Sequence, residues 1–270
     1  MVWSTFHYDN SYSRMPAHFY ARVMPELVPA PYLIHLNLDV AKLTGVGLTS
    51  IELQELLPVL SGNALESQYL PLSMLYAGHQ LGHWVPQLGD GRAIQIAEII
   101  DADKQRWALQ LKGAGPTPYS RNADGRAVLR STIREYLCSE AMQGLGIPTT
   151  RALSMVGSDM EIYREEIESA AILLRTAPSF VRFRHFEVFA SRGLSEDVQR
   201  LADYIIAQHY PDLKNLANPY AALFTQVVDS IARLMAQWQA SGFMHGVMNT
   251  DNMSIHGITI DYGPFAFMDG

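Results

Sequence analysis

The run Gly242-Phe-Met-His245-Gly-Val247-Met-Asn249-Thr-Asp251-Asn252-Met253-Ser-Ile255-His256-Gly257-Ile258-Thr-Ile260-Asp261-Tyr262-Gly263-Pro264 decides how this chain is read. Two short apolar runs, 253–255 and 258–260, flank His256-Gly257 and predict an antiparallel hairpin with that dipeptide at its tip. Such a hairpin brings Asn252, just before it, close to Asp261, just after it. An amide oxygen and a carboxylate at one spot make a hard oxygen site suited to Mg²⁺ holding nucleotide phosphates. The plain alternative is a polar turn followed by an Asp-initiated turn.

The spacing favours the first reading. Protein kinases carry His-Arg-Asp, four residues, then Asn, and later Asp-Phe-Gly. His245 and Asn252 stand seven apart, as those residues do. The kinase base would fall on Val247, which accepts no proton, and an acid stands instead at Asp251. The site therefore reads as kinase-like with its base moved or its reaction changed.

Working upstream, helices are expected at about 195–208 and 219–240, the second stopped by Gly242. Strands are expected at 151–156, 160–163 and 170–175, with Gly157-Ser-Asp as a turn between the first two. Arg175 closes the last strand, and Arg182 and Arg184 follow Pro178-Ser179. Beside a phosphate site these arginines would grip an anion, and elsewhere they would be ion-pair partners. A helix from about Gly125 to Gln143 is predicted, with Asp124 as N-cap and Leu129, Ile133, Leu137 and Ala141 as its core stripe. Glu135 lies off that stripe, where it can reach a lysine on a neighbouring strand. Lys112 ends the predicted strand 106–112, itself next to a strand over 93–99. Ahead of these lies Tyr76-Ala-Gly-His79-Gln-Leu-Gly-His83-Trp-Val-Pro-Gln-Leu-Gly89-Asp-Gly91-Arg92. Its glycines allow close approach of backbone N–H groups to phosphate. His79 and His83 read as structural histidines, for want of a matching acidic or Cys partner. Residues 1–40, rich in proline and aromatics, read as an extended segment, with Asp39 capping a short helix and another helix over 51–60.

Composition narrows the class. Twenty Lys+Arg against 27 Asp+Glu give a net charge of −7, which argues against a general nucleic-acid-binding surface. The single cysteine, Cys138, excludes an internal disulfide and fits a reducing, cytoplasmic setting. The N-terminal run Met1-Val-Trp-Ser-Thr-Phe-His-Tyr-Asp-Asn shows no secretory pattern, and no stretch is apolar enough for a membrane span.

The chain resembles the SelO family, also called the YdiU family. The residues that carry the likeness are Tyr76 to Arg92, Leu109-Gln-Leu-Lys112-Gly-Ala-Gly-Pro-Thr-Pro-Tyr-Ser-Arg121, Asp124-Gly125-Arg-Ala-Val-Leu-Arg-Ser-Thr-Ile-Arg-Glu135 and His245 to Gly263. The resemblance implies an α+β, protein-kinase-like pseudokinase fold. In it, 1–75 would be an N-terminal extension, 76–176 the nucleotide-binding lobe, and 177–270 the start of the helical lobe. It implies transfer of AMP from ATP to Ser, Thr or Tyr hydroxyls of protein substrates, with the nucleotide flipped relative to kinases. Some family members are described using UTP with Mn²⁺. Carried over by motif, Gly89, Gly91, Arg92, Lys112, Asp124, Gly125, Arg175, Arg182 and Asp261 would contact ATP, and Glu135 would pair with Lys112. Asp251 would accept the proton, and Asn252 and Asp261 would hold Mg²⁺. Family members are much longer, with an activation segment and the rest of the helical lobe after the Asp-Tyr-Gly motif, and often a redox-active Cys or selenocysteine near the C-terminus. Two other readings stay open: phosphoryl transfer with Asp251 as base, and a non-catalytic nucleotide-binding scaffold.

Overall fold

A computed structural model describes residues 7–45, 50–80 and 82–268, with side chains at 50–54 excepted. Met1 to Phe6 of the N-terminal run and Leu81 of the Gly-rich stretch, both read above, lie outside the described residues. In chain order the elements are β1 His7–Tyr8, β2 Tyr20–Arg22, β3 Tyr32–Leu36, α1 Leu38–Leu43, α2 Ser50–Leu60, β4 Leu72–Gln80, β5 His83–Gly89, β6 Ala93–Ile100 and β7 Arg106–Lys112. Then come β8 Ala127–Val128, α3 Leu129–Gly144, β9 Arg151–Tyr163, β10 Ile167–Ala177, α4 Phe183–Ser191, α5 Ser195–His209, α6 Pro219–Ala240, β11 Phe243–Met244 and β12 Ala266–Phe267. The chain is thus α+β, dominated by one antiparallel sheet in the order β2-β4-β6-β7-β10-β9-β3; β1 joins β6, β5 joins β4 and β8 joins β10.

It divides into two compact units, residues 1–75, 89–140 and 150–179 in the first and 76–88, 141–149 and 180–270 in the second. In the first, strand alternation sorts the side chains. Leu109 and Leu111 of β7 join Ile94, Ile96, Ile172 and Leu174 in a core that also takes Val40 of α1 and Leu56 and Leu60 of α2. The alternate residues face the other way, where Leu173 and Met155 pack with Tyr136, Leu129 and Ile133 of α3. Lys112 shares that second face, because it stands opposite Leu173 across the β7–β10 ladder.

Several local expectations are corrected. The third helix begins at Leu129 rather than Gly125, because Ala127 and Val128 pair with Ala171 and Ala170 as strand β8. Gly125 sits at φ +65°, where glycine carries no steric penalty, and turns the chain into that strand. Asp124 caps no helix; it accepts from the Arg126 amide and pairs with Arg164. On α3 the predicted stripe holds only at Leu129 and Ile133, since Leu137 is 62% exposed and Ala141 is exposed too. The buried face instead carries Thr132, Glu135, Tyr136 and Ser139, rotated toward the charges it serves.

Gly157 is no turn residue. Strand β9 runs straight through it, the mismatch is taken up by a register shift opposite Ser169/Ala170, and the chain reverses only after Tyr163. A Cβ at Gly157 would lie 2.7 Å from the Tyr32 ring of β3, so the glycine admits a neighbouring side chain. Nor is Asp39 a cap: Asn37 accepts from the Asp39 and Val40 amides at the start of α1.

In the second unit α4, α5 and α6 support an irregular run after Gly242. The predicted hairpin is reduced to the single bridge Met253↔Thr259, because Thr259 also bridges Thr149 and its amide donates to the Pro148 carbonyl. Among the described residues no helix is long and apolar enough to cross a membrane.

Candidate active site

In the first unit a chain of buried charges runs along the α3-facing side of the sheet. Lys112 ends β7 with its side chain 10% exposed, and its Nζ lies 2.5 Å from Glu135 Oε2. The other Glu135 oxygen takes Arg175 Nη1 at 2.8 Å. Arg175, 1% exposed, donates through Nε and Nη2 to Gln110 Oε1 at 3.0 and 2.7 Å. The Gln110 amide then donates to Asp90 Oδ2 at 3.3 Å. A carboxylate shared by an ammonium and a guanidinium, all out of water, is held in one orientation by the cost of separating any partner. Alternation accounts for the arrangement: Gln110 and Lys112 are two apart on β7, and Arg175 stands directly opposite Gln110.

The turn after β5 is seated by hydroxyls. Thr117 donates to the Asp90 carbonyl at 2.8 Å, Ser120 donates to the Gly91 carbonyl, and Arg92 at the turn's end is exposed. A Cβ on Gly91 would sit 2.9 Å from the Tyr119 carbonyl oxygen, so this turn tolerates no side chain there. Gly89, buried, would set a Cβ against the Tyr119 ring. Asp124 and Gly125 lie apart from the Lys112 cluster's bonds; Arg164 holds Asp124 at 2.7 Å, and that hydrogen bond keeps its carboxyl below the usual range.

The second unit carries the other named residues. Thr250–Asn252 form a single 3-10 turn, and the Asn252 side-chain amide donates to the Val247 carbonyl at 2.8 Å. That bond uses the amide nitrogen and not the oxygen. His245 Nε2 reaches the Ile260 carbonyl at 3.0 Å and stacks on Trp238, whose indole donates to Thr259. His245 thereby fixes the segment leading into Asp261. Asp261 itself has φ +61°, a conformation that costs a non-glycine residue of order 1–3 kcal/mol and is concentrated at functional sites.

Each carboxylate of this loop meets an arginine from the start of α4. Arg182 lies 2.7 Å from Asp261 Oδ2, donates to the Asp251 carbonyl at 2.8 Å, and sits over the Tyr76 ring. Arg184 lies 3.1 Å from Asp251 Oδ2 and is completely buried, and that burial lowers the pKa of its guanidinium. Asp251 Oδ1 is buried and has no hydrogen-bond partner among the described residues. The amide oxygen of Asn252 and the carboxylate of Asp261 are donors of the type a hard cation takes. Among the described residues no three His, Cys, Asp or Glu cluster for a metal. Mg²⁺ needs no such cluster, since it is commonly held by one or two carboxylates with phosphate and water completing its shell.

Sequence reasoning missed Gln110 and Asp90 as members of the first chain, although the two-residue spacing to Lys112 pointed at Gln110. It left Arg184 between anion binding and ion pairing, and its partner is Asp251.

The sequence model of the family described as "Protein adenylyltransferase SelO" matches residues 3–270. Among similar proteins is the "Protein nucleotidyltransferase YdiU" of Thiobacillus denitrificans, 56% identical over 97% of this chain and 54% of that protein. Proteins of the same name from Thioalkalivibrio sulfidiphilus and Myxococcus xanthus are 55% and 52% identical, over 96% and 97% of this chain and 53% and 54% of theirs. The chain spans about half the length of these relatives. With a match over nearly its whole length, the chain belongs to the SelO family.

Proposed function

We propose that the protein is a nucleotidyltransferase that moves AMP from ATP onto a Ser, Thr or Tyr hydroxyl of a protein substrate, using a protein-kinase-like pseudokinase fold. Family membership supports the transfer class. The observation that carries the finer reading is Asp251: the kinase base position is Val247, while Asp251 offers a buried carboxylate oxygen with no hydrogen-bond partner among the described residues.

In this reading the nucleotide binds flipped, so that its α-phosphorus meets the acceptor. The acceptor oxygen bonds to that phosphorus as the bond to the bridging oxygen breaks, pyrophosphate leaves with the electron pair, and Asp251 takes the hydroxyl proton. Lys112 and Arg182 offset phosphate charge, as does Arg175 through the cluster it shares with Lys112. The Gly89–Arg92 turn and Asp124-Gly125 lie against the nucleotide. Asn252 and Asp261 would hold Mg²⁺, or Mn²⁺ if UTP is used, and a cation bound there would supply charge neutralisation for the phosphates.

The test is a pair of labelling reactions. With Mg²⁺, protein-bound label is expected from α-labelled ATP and none from γ-labelled ATP. Label from the γ-position would replace this reading with phosphoryl transfer. Label from neither, with ATP still bound in a calorimeter, would favour a scaffold. Mn²⁺ with α-labelled UTP reads out the alternative donor.

A further inference from the structure

Arg184 and Gly78 have no part in the nucleotide chemistry above, yet they form one device in the second unit. Arg184 is 0% exposed, and each end of its guanidinium is used. Nη2 donates to the His79 carbonyl on β4, Nε donates to Thr250 Oγ1 at 3.2 Å, and Nη1 faces Asp251 Oδ2 at 3.1 Å. Nη1 makes no hydrogen bond among the described residues, so what it supplies to Asp251 is charge. One planar group therefore ties a strand, the residue before Asp251, and Asp251 itself.

Gly78 makes the room. A Cβ at this position would fall 2.6 Å from Arg184 Nε and 2.8 Å from its Cδ, and would also strike Glu187 Oε2. A buried, tethered guanidinium has nowhere to retreat. The glycine in Tyr76-Ala-Gly-His, which reads as part of a phosphate loop, is explained by this approach of the arginine to β4.

We propose that Arg184 is the positioning residue for Asp251, and that Gly78 exists to let it lie against the strand. The inference rests on the reading of Asp251 as proton acceptor. Arginine suits the task better than lysine because its rigid fork reaches three partners in one plane. Without it, the 3-10 turn at Thr250–Asn252 loses its anchor to β4, and the Asp251 carboxylate loses the charge that fixes its direction. Arg184 touches no reacting atom in this scheme, so its loss falls on the chemical step and leaves nucleotide affinity in place.

The experiment follows label transfer from α-labelled ATP with Mg²⁺ in the parent protein, Arg184→Met, Arg184→Lys, Gly78→Ala and Asp251→Ala, with ATP binding measured calorimetrically on the same preparations. Arg184→Met is expected to lose about 10²-fold in rate at saturating ATP, the scale of a small misplacement of a reacting group. Its half-saturating ATP concentration stays at the parent value. Arg184→Lys recovers part of the rate, since an amine reaches Asp251 but not Thr250 and His79 together. Gly78→Ala shows the same split in a chain that keeps the arginine, which holds the test open if Arg184→Met does not fold. Parent-level rates in Arg184→Met and Gly78→Ala beside an inactive Asp251→Ala would overturn the proposal. So would a loss of ATP affinity matching the loss of rate, which would make Arg184 a nucleotide ligand. A parent protein that transfers no label counts against the proposed function instead. The positioning is then decided by unfolding Arg184→Met, Asp251→Asn and the double variant: coupled effects are expected, and additive ones would overturn it.

Discussion

The two charged assemblies solve opposite problems. In the first unit Lys112, Glu135, Arg175, Gln110 and Asp90 sit on regular elements and are bonded one to the next, with Glu135 using both oxygens. In the second, Asp251, Asn252 and Asp261 sit on a single 3-10 turn and a left-handed residue, and a carboxylate oxygen of Asp251 is left without a hydrogen bond among the described residues. A saturated network on a sheet holds its shape before any ligand arrives. A loop with spare acceptors is what a metal, a phosphate or a proton can use. On the proposed reading, the first unit holds its shape and the second carries the proton acceptor and the metal ligands.

The sharpest way to break that division is at Asp261. Asp261→Ala should reduce metal-dependent label transfer to background while the protein stays folded, because Arg182 keeps its hydrogen bond to the Asp251 carbonyl. If Mg²⁺ titration of this variant matches the parent, the ligand assignment is wrong. Next in size is Lys112→Ala, expected to cost about 10²- to 10³-fold in turnover, the scale of one preorganised electrostatic donor. Parent rates in that variant would remove the first unit from catalysis altogether.

Glu135→Gln separates holding from chemistry within the first unit. Removing one carboxylate charge leaves Lys112 and Arg175 facing each other across a neutral amide in a buried site. Breaking a buried pair this way costs about 3–5 kcal/mol. The measurement is urea unfolding, where the midpoint should fall with little change in slope. An unchanged midpoint would mean that the network is not the strut the distances suggest.

How much was legible in advance follows the same division. Strands β6 and β7 and helices α5 and α6 were readable because alternation and helical periodicity are local signals. Lys112 at a strand end was readable from spacing, whereas the hairpin expected to bring Asn252 to Asp261 is reduced to the single bridge Met253↔Thr259. The buried face of α3 was not: hydrophobicity selected Leu137 and Ala141, whereas burial is set by Glu135 meeting charges from strands distant in sequence. Gly157 and Gly78 looked like turn and phosphate-loop glycines. Both are strand glycines cleared for a neighbour, Tyr32 in one case and Arg184 in the other, and a close approach between distant segments leaves no local pattern. Arg184 was visible as a cation near the site, but its partner could be known only once β4, α4 and the Asp251 turn were in place.

The smallest expected effect distinguishes the units by pH. In the first unit the carboxylate of Asp124 is held below its usual 3.8, mainly by the Arg164 hydrogen bond, so its contribution is present above that range and is lost only in strong acid. In the second unit His185 is completely buried, accepts the Arg182 amide at Nδ1, and is lowered from 6.5 to about 3, chiefly by burial and then by the Arg182 charge. The sign is the reverse of a salt-bridged histidine. As pH falls below 6.5 the unfolded chain takes a proton that the folded chain refuses until about 3, so stability falls across that window. The slope is about 1.4 kcal/mol per pH unit for one such group. His256 is also lowered, to about 4, by burial, and adds a decline of its own over the same window. Urea midpoints measured from pH 7 down to 4.5 should therefore decline in the parent protein above the range in which Asp124 protonates. His185→Gln, whose side-chain oxygen can still accept the Arg182 amide, should flatten about half of that decline. A variant that declines as steeply as the parent would remove His185 as a cause.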